Sequence, residues 1–145
     1  LRNLEIKKNR STRLRGHAAQ GMEQVNAVVD TNILIDYLNG SDSARRELES
    51  FEVLHLSIIS WMEVLVGASD IEEESEIREF LRRFRIHPVD EGVAERAVEI
   101  RRRDKIRLPD AIIWATAQQL GVLLVTRNKR DFPGNHPGVR IPYNL

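Results

Sequence analysis

The 145-residue chain has no cysteine, which excludes disulfides, thiolate zinc sites and cysteine nucleophiles and fits a cytoplasmic location. Its four histidines, His17, His55, His87 and His136, are scattered without metal-ligand spacing, which argues against zinc. No apolar run approaches the roughly 18 residues of a membrane span, and no signal-type apolar segment follows the basic N-terminus. No membrane partner is expected. Internal repeats and low-complexity tracts are also missing. What remains, 41% hydrophobic and 30% charged residues, is an ordinary globular composition at single-domain size.

Net charge is zero, but it is unevenly spread. Residues 1–21 carry six basic residues (Arg2, Lys7, Lys8, Arg10, Arg13, Arg15) against one acid, Glu5; residues 22–145 carry 16 basic and 21 acidic residues. A tail of +5 thus precedes a body of −5. Met22 falls where polar sequence gives way to a strand-like pattern. Residues 1–21 are accordingly read as an extension outside the fold, disordered, upstream-encoded or artificial, and 22–145 as one domain.

From Val25 onward, strand and helix signals alternate. "VNAVVD" predicts a buried strand and "NILIDYLN" a short helix stopped near Gly40. "SDSARRELES" predicts a polar helix, "VLHLS" a second strand, and "SWMEVLVGA" a mostly buried helix running to Gly67. "IEEESEIREFLRRF" sets Ile71, Ile77, Phe80, Leu81 and Phe84 near one face. "IHPV" predicts a brief strand whose Pro88 favours an edge. "DEGVAERAVEIRRRDKI" predicts an amphipathic helix. "PDAIIWATAQQLG" opens on a first-turn proline and closes on Gly121. "VLLVT" predicts an apolar strand, "NKRDF" a turn and "VRIPY" a last strand. This alternation implies an α/β fold, an α/β/α sandwich around a mostly parallel sheet.

In such a sheet, ligands bind outside the carboxyl ends of the strands. Asp30 closes the first strand, Glu63 lies one turn into the helix after the second, Asp110 sits in the first turn of the "PDAII" helix, and Asp131 follows "VLLVT". Clustered carboxylates without His or Cys suit hard, oxygen-seeking cations, Mg²⁺ or Mn²⁺. Each acid also has a plain structural explanation. Asp30 suits a helix cap, Glu63 a capping box with Ser60, Asp110 a helix N-terminus and Asp131 a turn. Asp90 likewise follows a strand and precedes a helix, and nothing beyond capping supports it. The apolar "AIIWATA" after Asp110 favours the metal reading, because it mounts a carboxylate on a buried, rigid helix where unpaired acids are costly to ionise.

"VVDTNILIDYL", "SIISWMEVLVGA" and "LPDAIIWATAQQLGVLLVTRNKRDF", in that order, resemble the PIN-domain ribonuclease family and, within it, the VapC-like toxins of bacterial toxin–antitoxin pairs. The resemblance covers nearly all of 22–145. It implies a parallel sheet with helices on both faces and an acidic cluster binding one or two Mg²⁺ or Mn²⁺ ions: Asp30 and Asp110, with Glu63 and Asp131 as further ligands or water-orienting groups. Asn32, Thr126 and Asn128 match polar positions of the family pattern, and Thr31 and Asn32, next to Asp30, are then read as groups that hold its carboxylate in place. The implied activity is endoribonuclease hydrolysis by metal-activated water, leaving a 5′-phosphate and a 3′-hydroxyl. The implied partners are RNA, a cognate VapB-like antitoxin and a second copy in a homodimer. The tail has no counterpart in the toxin pattern; its +5 charge against the −5 body raises a second reading beside the disordered or artificial one, an antitoxin-like segment supplied in cis whose Arg13 or Arg15 would reach the acids of its own or a neighbouring protomer.

RNA must approach an acidic body. Arg101, Arg102, Arg103, Lys105 and Arg107 before the Asp110 helix, and Arg127, Lys129 and Arg130 before Asp131, are the candidates to guide its backbone, the alternative being solvated or salt-bridged helix ends. Trp61 and Trp114 lie in apolar helical runs, as core or dimer residues do. Two rival functions remain at this level: a catalytically silent PIN-like module that binds RNA or protein, and a receiver-like phosphoacceptor domain. The second lacks the paired acid beside Asp30 and a convincing lysine after the last strand.

Overall fold

A computed structural model describes residues 25–145; the expectations for residues 1–21 lie outside the described residues. The elements run β1 (Asn26–Val29), α1 (Thr31–Leu38), α2 (Asp42–Glu49), β2 (Val53–Ser57), α3 (Ile58–Val66), α4 (Ile71–Leu81), β3 (Arg85–His87), α5 (Glu91–Asp104), α6 (Leu108–Leu120), β4 (Leu123–Val125) and β5 (Val139–Arg140). The strands form one sheet in the order β3-β2-β1-β4-β5, and every neighbouring pair is parallel. Expected and observed fold class agree: a single α/β domain.

Alternation along the strands divides the core in two. Ala27 and Val29 pack with α1, α2 and α4 through Leu34, Leu48 and Phe80; Val28 packs with α5 and α6 through Val93, Ala97 and Ile113. A parallel sheet must be covered on both faces, so after Asn26 β1 is a continuous apolar run, Ala27–Val29, rather than alternating. Tyr37 stacks on Phe80 with ring centroids 4.7 Å apart, and Trp114 meets Phe132 edge-on at 5.6 Å. Trp114 is buried, as its apolar run predicts; Trp61 is half-buried, with the Arg78 guanidinium 5.4 Å from its ring. No helix among the described residues is long and apolar enough to cross a membrane.

Helix α6 follows its sequence signals closely. Proline stands in its first turn and Gly121 caps it with φ +71°, its N–H returning to Ala117 O and Gln118 O. A Cβ at Gly121 meets nothing within 4 Å, so Gly121→Ala tests backbone strain alone. A loss of about 1 kcal/mol is expected in urea denaturation, the cost of an L-residue in the left-handed region.

Three expectations need correction. Helix α3 begins at Ile58, capped by Ser57, so Ser60 is interior and forms no capping box with Glu63. Nor is α3 mostly buried: Met62 is 44% and Val66 84% exposed, because one of its sides borders the cleft described next. The last strand shrinks to Val139–Arg140, with Pro142 unable to donate to a ladder.

Candidate metal centre

The strand order reverses at β1. From it the chain builds outward through β2 and β3, then returns to place β4 on the other side. The switch point between β1 and β4 is where such sheets open a crevice. An open cleft of about 510 Å³ lies there, lined by Asp30, Thr31, Asn32, Glu63, Arg107, Asp110 and Asn128, with apolar walls from Ile35, Met62 and Val66.

Asp30 is the most constrained of the acids. It caps α1, Oδ1 accepting from the Thr31 N–H at 2.7 Å. Oδ2 accepts from Thr126 Oγ1 at 2.7 Å and from Asn32 Nδ2 at 3.3 Å. Asp30 is only 4% exposed. Burial pushes its pKa up to about 6; the Thr126 and Thr31 hydrogen bonds pull it down, and the charges of Asp110 and Glu63 push it up. A carboxylate used only as a cap would be expected to sit solvated and ordinary. This one is buried and faces two more acids.

Asp110, in the first turn of α6, is nearly buried, and its pKa is also raised. Burial is the main cause; Arg107 opposes it, and Asp131 and Glu63 add to it. Glu63 comes from α3, where Thr31 Oγ1 donates to its Oε1 at 2.6 Å; the same hydroxyl lies 2.9 Å from Ser60 Oγ. Asp131 is not itself in the cleft lining but is held by Asn128, which is. Asn128 Nδ2 donates to its Oδ2 at 3.0 Å, and the Asp131 N–H returns to Asn128 Oδ1 at 3.2 Å. Thr126 is fully buried beneath Asp30 and also accepts from the Asn128 N–H. Asn32 Oδ1 accepts from the Arg127 N–H, fastening α1 to the loop after β4. All eight polar residues picked from sequence therefore fall in one connected region.

The donor chemistry fits a hard divalent cation: carboxylates and neutral oxygens, with no sulfur or imidazole. Among the described residues, no three His, Asp or Glu side chains already converge closely enough to hold an ion. That openness is compatible with Mg²⁺, which keeps several waters and typically uses one or two carboxylates. Asp30 and Asp110 are the two buried carboxylates of the cleft and so the candidates to hold such an ion.

The basic residues separate. Arg127 does not face the cleft as a free cation; its guanidinium grips Asp36 through Nε at 2.7 Å and Nη2 at 3.1 Å. Arg101, Arg102, Arg103, Lys105, Lys129 and Arg130 are exposed, Arg103 pairing with Asp104 at 3.1 Å. None of these six lines the cleft, whereas Arg107 does. Its position three residues before Asp110, across the first turn of a helix, was the available signal. Asp90 is an N-cap and no more, accepting from the Val93 N–H at 2.9 Å.

A doubly covered parallel sheet with buried carboxylates at its switch point defines a class, and comparison with known proteins identifies it. The PIN domain family model matches residues 27–133. The chain therefore belongs to the PIN domain family, among its VapC-like members. It is 35% identical over 114 residues to ribonuclease VapC10 of Mycobacterium tuberculosis, covering 73% of this chain and 85% of that protein. Among solved structures it is similar to a toxin–antitoxin complex from Klebsiella pneumoniae at 45% identity and TM-score 0.77, covering 82% of this chain and 99% of that one. It is also similar to FitAcB from Neisseria gonorrhoeae at 28% identity and TM-score 0.70, covering 82% and 99%.

Proposed function

We propose that this chain is a Mg²⁺- or Mn²⁺-dependent endoribonuclease, the toxin of a VapBC-like pair acting in the cytoplasm. The carrying observation is Asp30: a buried carboxylate with a raised pKa, held by Thr31 and Thr126 and facing Asp110 and Glu63. Similarity to a protein named as a ribonuclease supports RNA as the substrate, and similarity to a toxin–antitoxin complex supports an antitoxin partner. The exposed apolar walls of the cleft, Ile35, Met62 and Val66, suit a covering peptide. The homodimer rests on the family resemblance.

Asp30 and Asp110 would hold the ion, which when bound would acidify a water and offset charge at the scissile phosphate. Thr31 orients Glu63 at the cleft, where its carboxylate can accept the proton of the attacking water. Asn128 orients Asp131, whose charge is felt at Asp110, as a second proton acceptor or a further ligand. Asn32 and Thr126 fix the Asp30 carboxylate, so little reorganisation is needed when charge changes in the cleft. The exposed Arg101, Arg102, Lys105, Lys129 and Arg130 would guide the RNA backbone from outside the cleft.

The test is Mg²⁺-dependent cleavage of total RNA by the wild type and by Asp30→Asn and Asp110→Asn. Cleavage by the wild type alone is expected; equal cleavage by all three rejects the site. Thr126→Val supplies a subtler check. It keeps the shape of a buried side chain but removes the hydroxyl that favours ionised Asp30. Mn²⁺ affinity should fall about 10–100-fold, the usual effect of losing a group that supports a ligand. A Mn²⁺ titration indistinguishable from wild type would refute that role.

A further inference from the structure

The cleft poses an electrostatic problem: a polyanion has to enter a site walled by Asp30, Glu63 and Asp110. Among the described residues one cation, Arg107, stands in the lining, and its attachment differs from that of the two-bond arginine pairs of the fold. Arg127 holds Asp36 by two hydrogen bonds of 2.7 and 3.1 Å, and Arg140 holds Glu47 by two of 2.6 and 3.0 Å. Both are at least half covered, with side chains 32% and 36% exposed. Arg107 makes one bond to Asp110 Oδ2, long at 3.3 Å, and its side chain is 79% exposed. Charge-assisted bonds that are structurally committed are shorter and often paired. Arg107 also stands at the N-cap of α6 without using its side chain to cap the helix, so the helix does not depend on its rotamer.

We propose that Arg107 is an exchange residue. In the metal-free protein it is a stand-in cation for Asp110; when a divalent ion takes Asp110, Arg107 is released to bind a phosphate of the RNA in the same cleft. This deepens the nuclease reading and rests on it. Arg107 at the N-cap and Asp110 in the first turn of α6 lie three residues apart, so the released guanidinium stays beside the cleft. Its planar fork suits a phosphate oxygen pair, which a point charge does not match. Metal and arginine compete for one carboxylate, and metal loading thereby couples to substrate capture. Arg107 is a substrate-positioning residue in this scheme and moves no proton.

Competition and capture predict effects of opposite sign from one substitution. In full-length Arg107→Ala, affinity for Mn²⁺ alone, followed by calorimetry without RNA, should tighten about two- to fivefold, the size of an exposed ion pair. With saturating Mn²⁺ and a fluorescent mixed-sequence RNA, KM should rise about tenfold while kcat changes little. The slope of log KM against log salt should fall by about one phosphate contact. Arg107→Lys should restore the Mn²⁺ affinity of the wild type and only part of the KM. A merely structural residue would weaken both metal and RNA binding. Unchanged Mn²⁺ affinity, or unchanged KM, in Arg107→Ala overturns the exchange. A wild type that neither binds Mn²⁺ nor cleaves RNA overturns the nuclease reading itself, whereas one that does both and is matched by Arg107→Ala overturns only the role of Arg107.

Discussion

Asp30→Asn is expected to lower RNA cleavage at least about a thousandfold, the several kcal/mol that a ligated metal contributes, while making the metal-free fold more stable at neutral pH. The two effects share one cause. Folded Asp30 keeps its proton up to about pH 6, whereas its ordinary value is 3.8. Between those values the folded state binds more protons than the unfolded one, so stability falls as pH rises through the window. This is the reverse of an ordinary surface carboxylate, whose ion pairs are lost on acidification. Above about pH 6 the ionised group costs about 2–3 kcal/mol in the absence of a cation, given a shift of about two units.

Asparagine carries no charge, still caps a helix well and can still meet Thr126. The variant should therefore lose the stability decline between about pH 4 and pH 6, and its Tm at pH 7.5 should exceed that of metal-free wild type by several degrees. Adding Mn²⁺ should raise the Tm of the wild type and leave that of the variant nearly unchanged. Thermal melts across pH 4–8, with and without Mn²⁺, decide the matter. If Asp30→Asn melts below wild type at pH 7.5 without metal, burial of charge is not what raises the Asp30 pKa.

Arg127→Ala should cost about 3–5 kcal/mol, a large part of the stability of a domain this size, because it strands a buried charge. Asp36 is 6% exposed and accepts two bonds from Arg127 and one from Tyr143 Oη at 2.9 Å. This cluster ties α1 to the loop after β4 and to the C-terminal segment. That loop also carries Thr126 and Asn128, so weaker Mn²⁺ binding should accompany the loss of stability. Replacing both partners, Asp36→Leu with Arg127→Met, should recover most of the loss, since the penalty lies in the unpaired charge rather than in the missing pair. Urea denaturation of the two single variants and the double variant provides the cycle. If Arg127→Ala instead kept wild-type stability and bound RNA more weakly, Arg127 would be an RNA contact after all.

The site was legible from sequence to different depths at its different residues. Asp30 and Asp110 could be placed because local signals are strong there: an apolar run ending on an acid, and a proline-opened apolar helix. Thr126 and Asn128 followed only through the family resemblance, whereas Thr31 and Asn32 also followed from their place beside Asp30. Glu63 was found with the wrong alternative attached, since Ser57 rather than Ser60 caps α3. Arg127 looked like one more basic residue in "TRNKR", and nothing nearby in the chain names Asp36 as its partner, 91 residues away. Arg107 lay among several basic residues, and its spacing of three from Asp110 was the one signal that set it apart.

By itself, the sequence determined the alternation of strands and helices, the two-sided core and the arrival of at least three of the four acids, Asp30, Glu63 and Asp110 among them, at one sheet edge. These depend on short-range periodicity and on capping and turn chemistry, which few residues suffice to encode. Tertiary structure alone decided what those acids experience: Thr126 reaching Asp30 across 96 positions, Thr31 orienting Glu63 across 32, and Arg107 resting loosely on Asp110 while Arg127 is spent on Asp36. Burial and hydrogen bonding set the energy of a charge, and both come from residues that meet only when the sheet closes around β1.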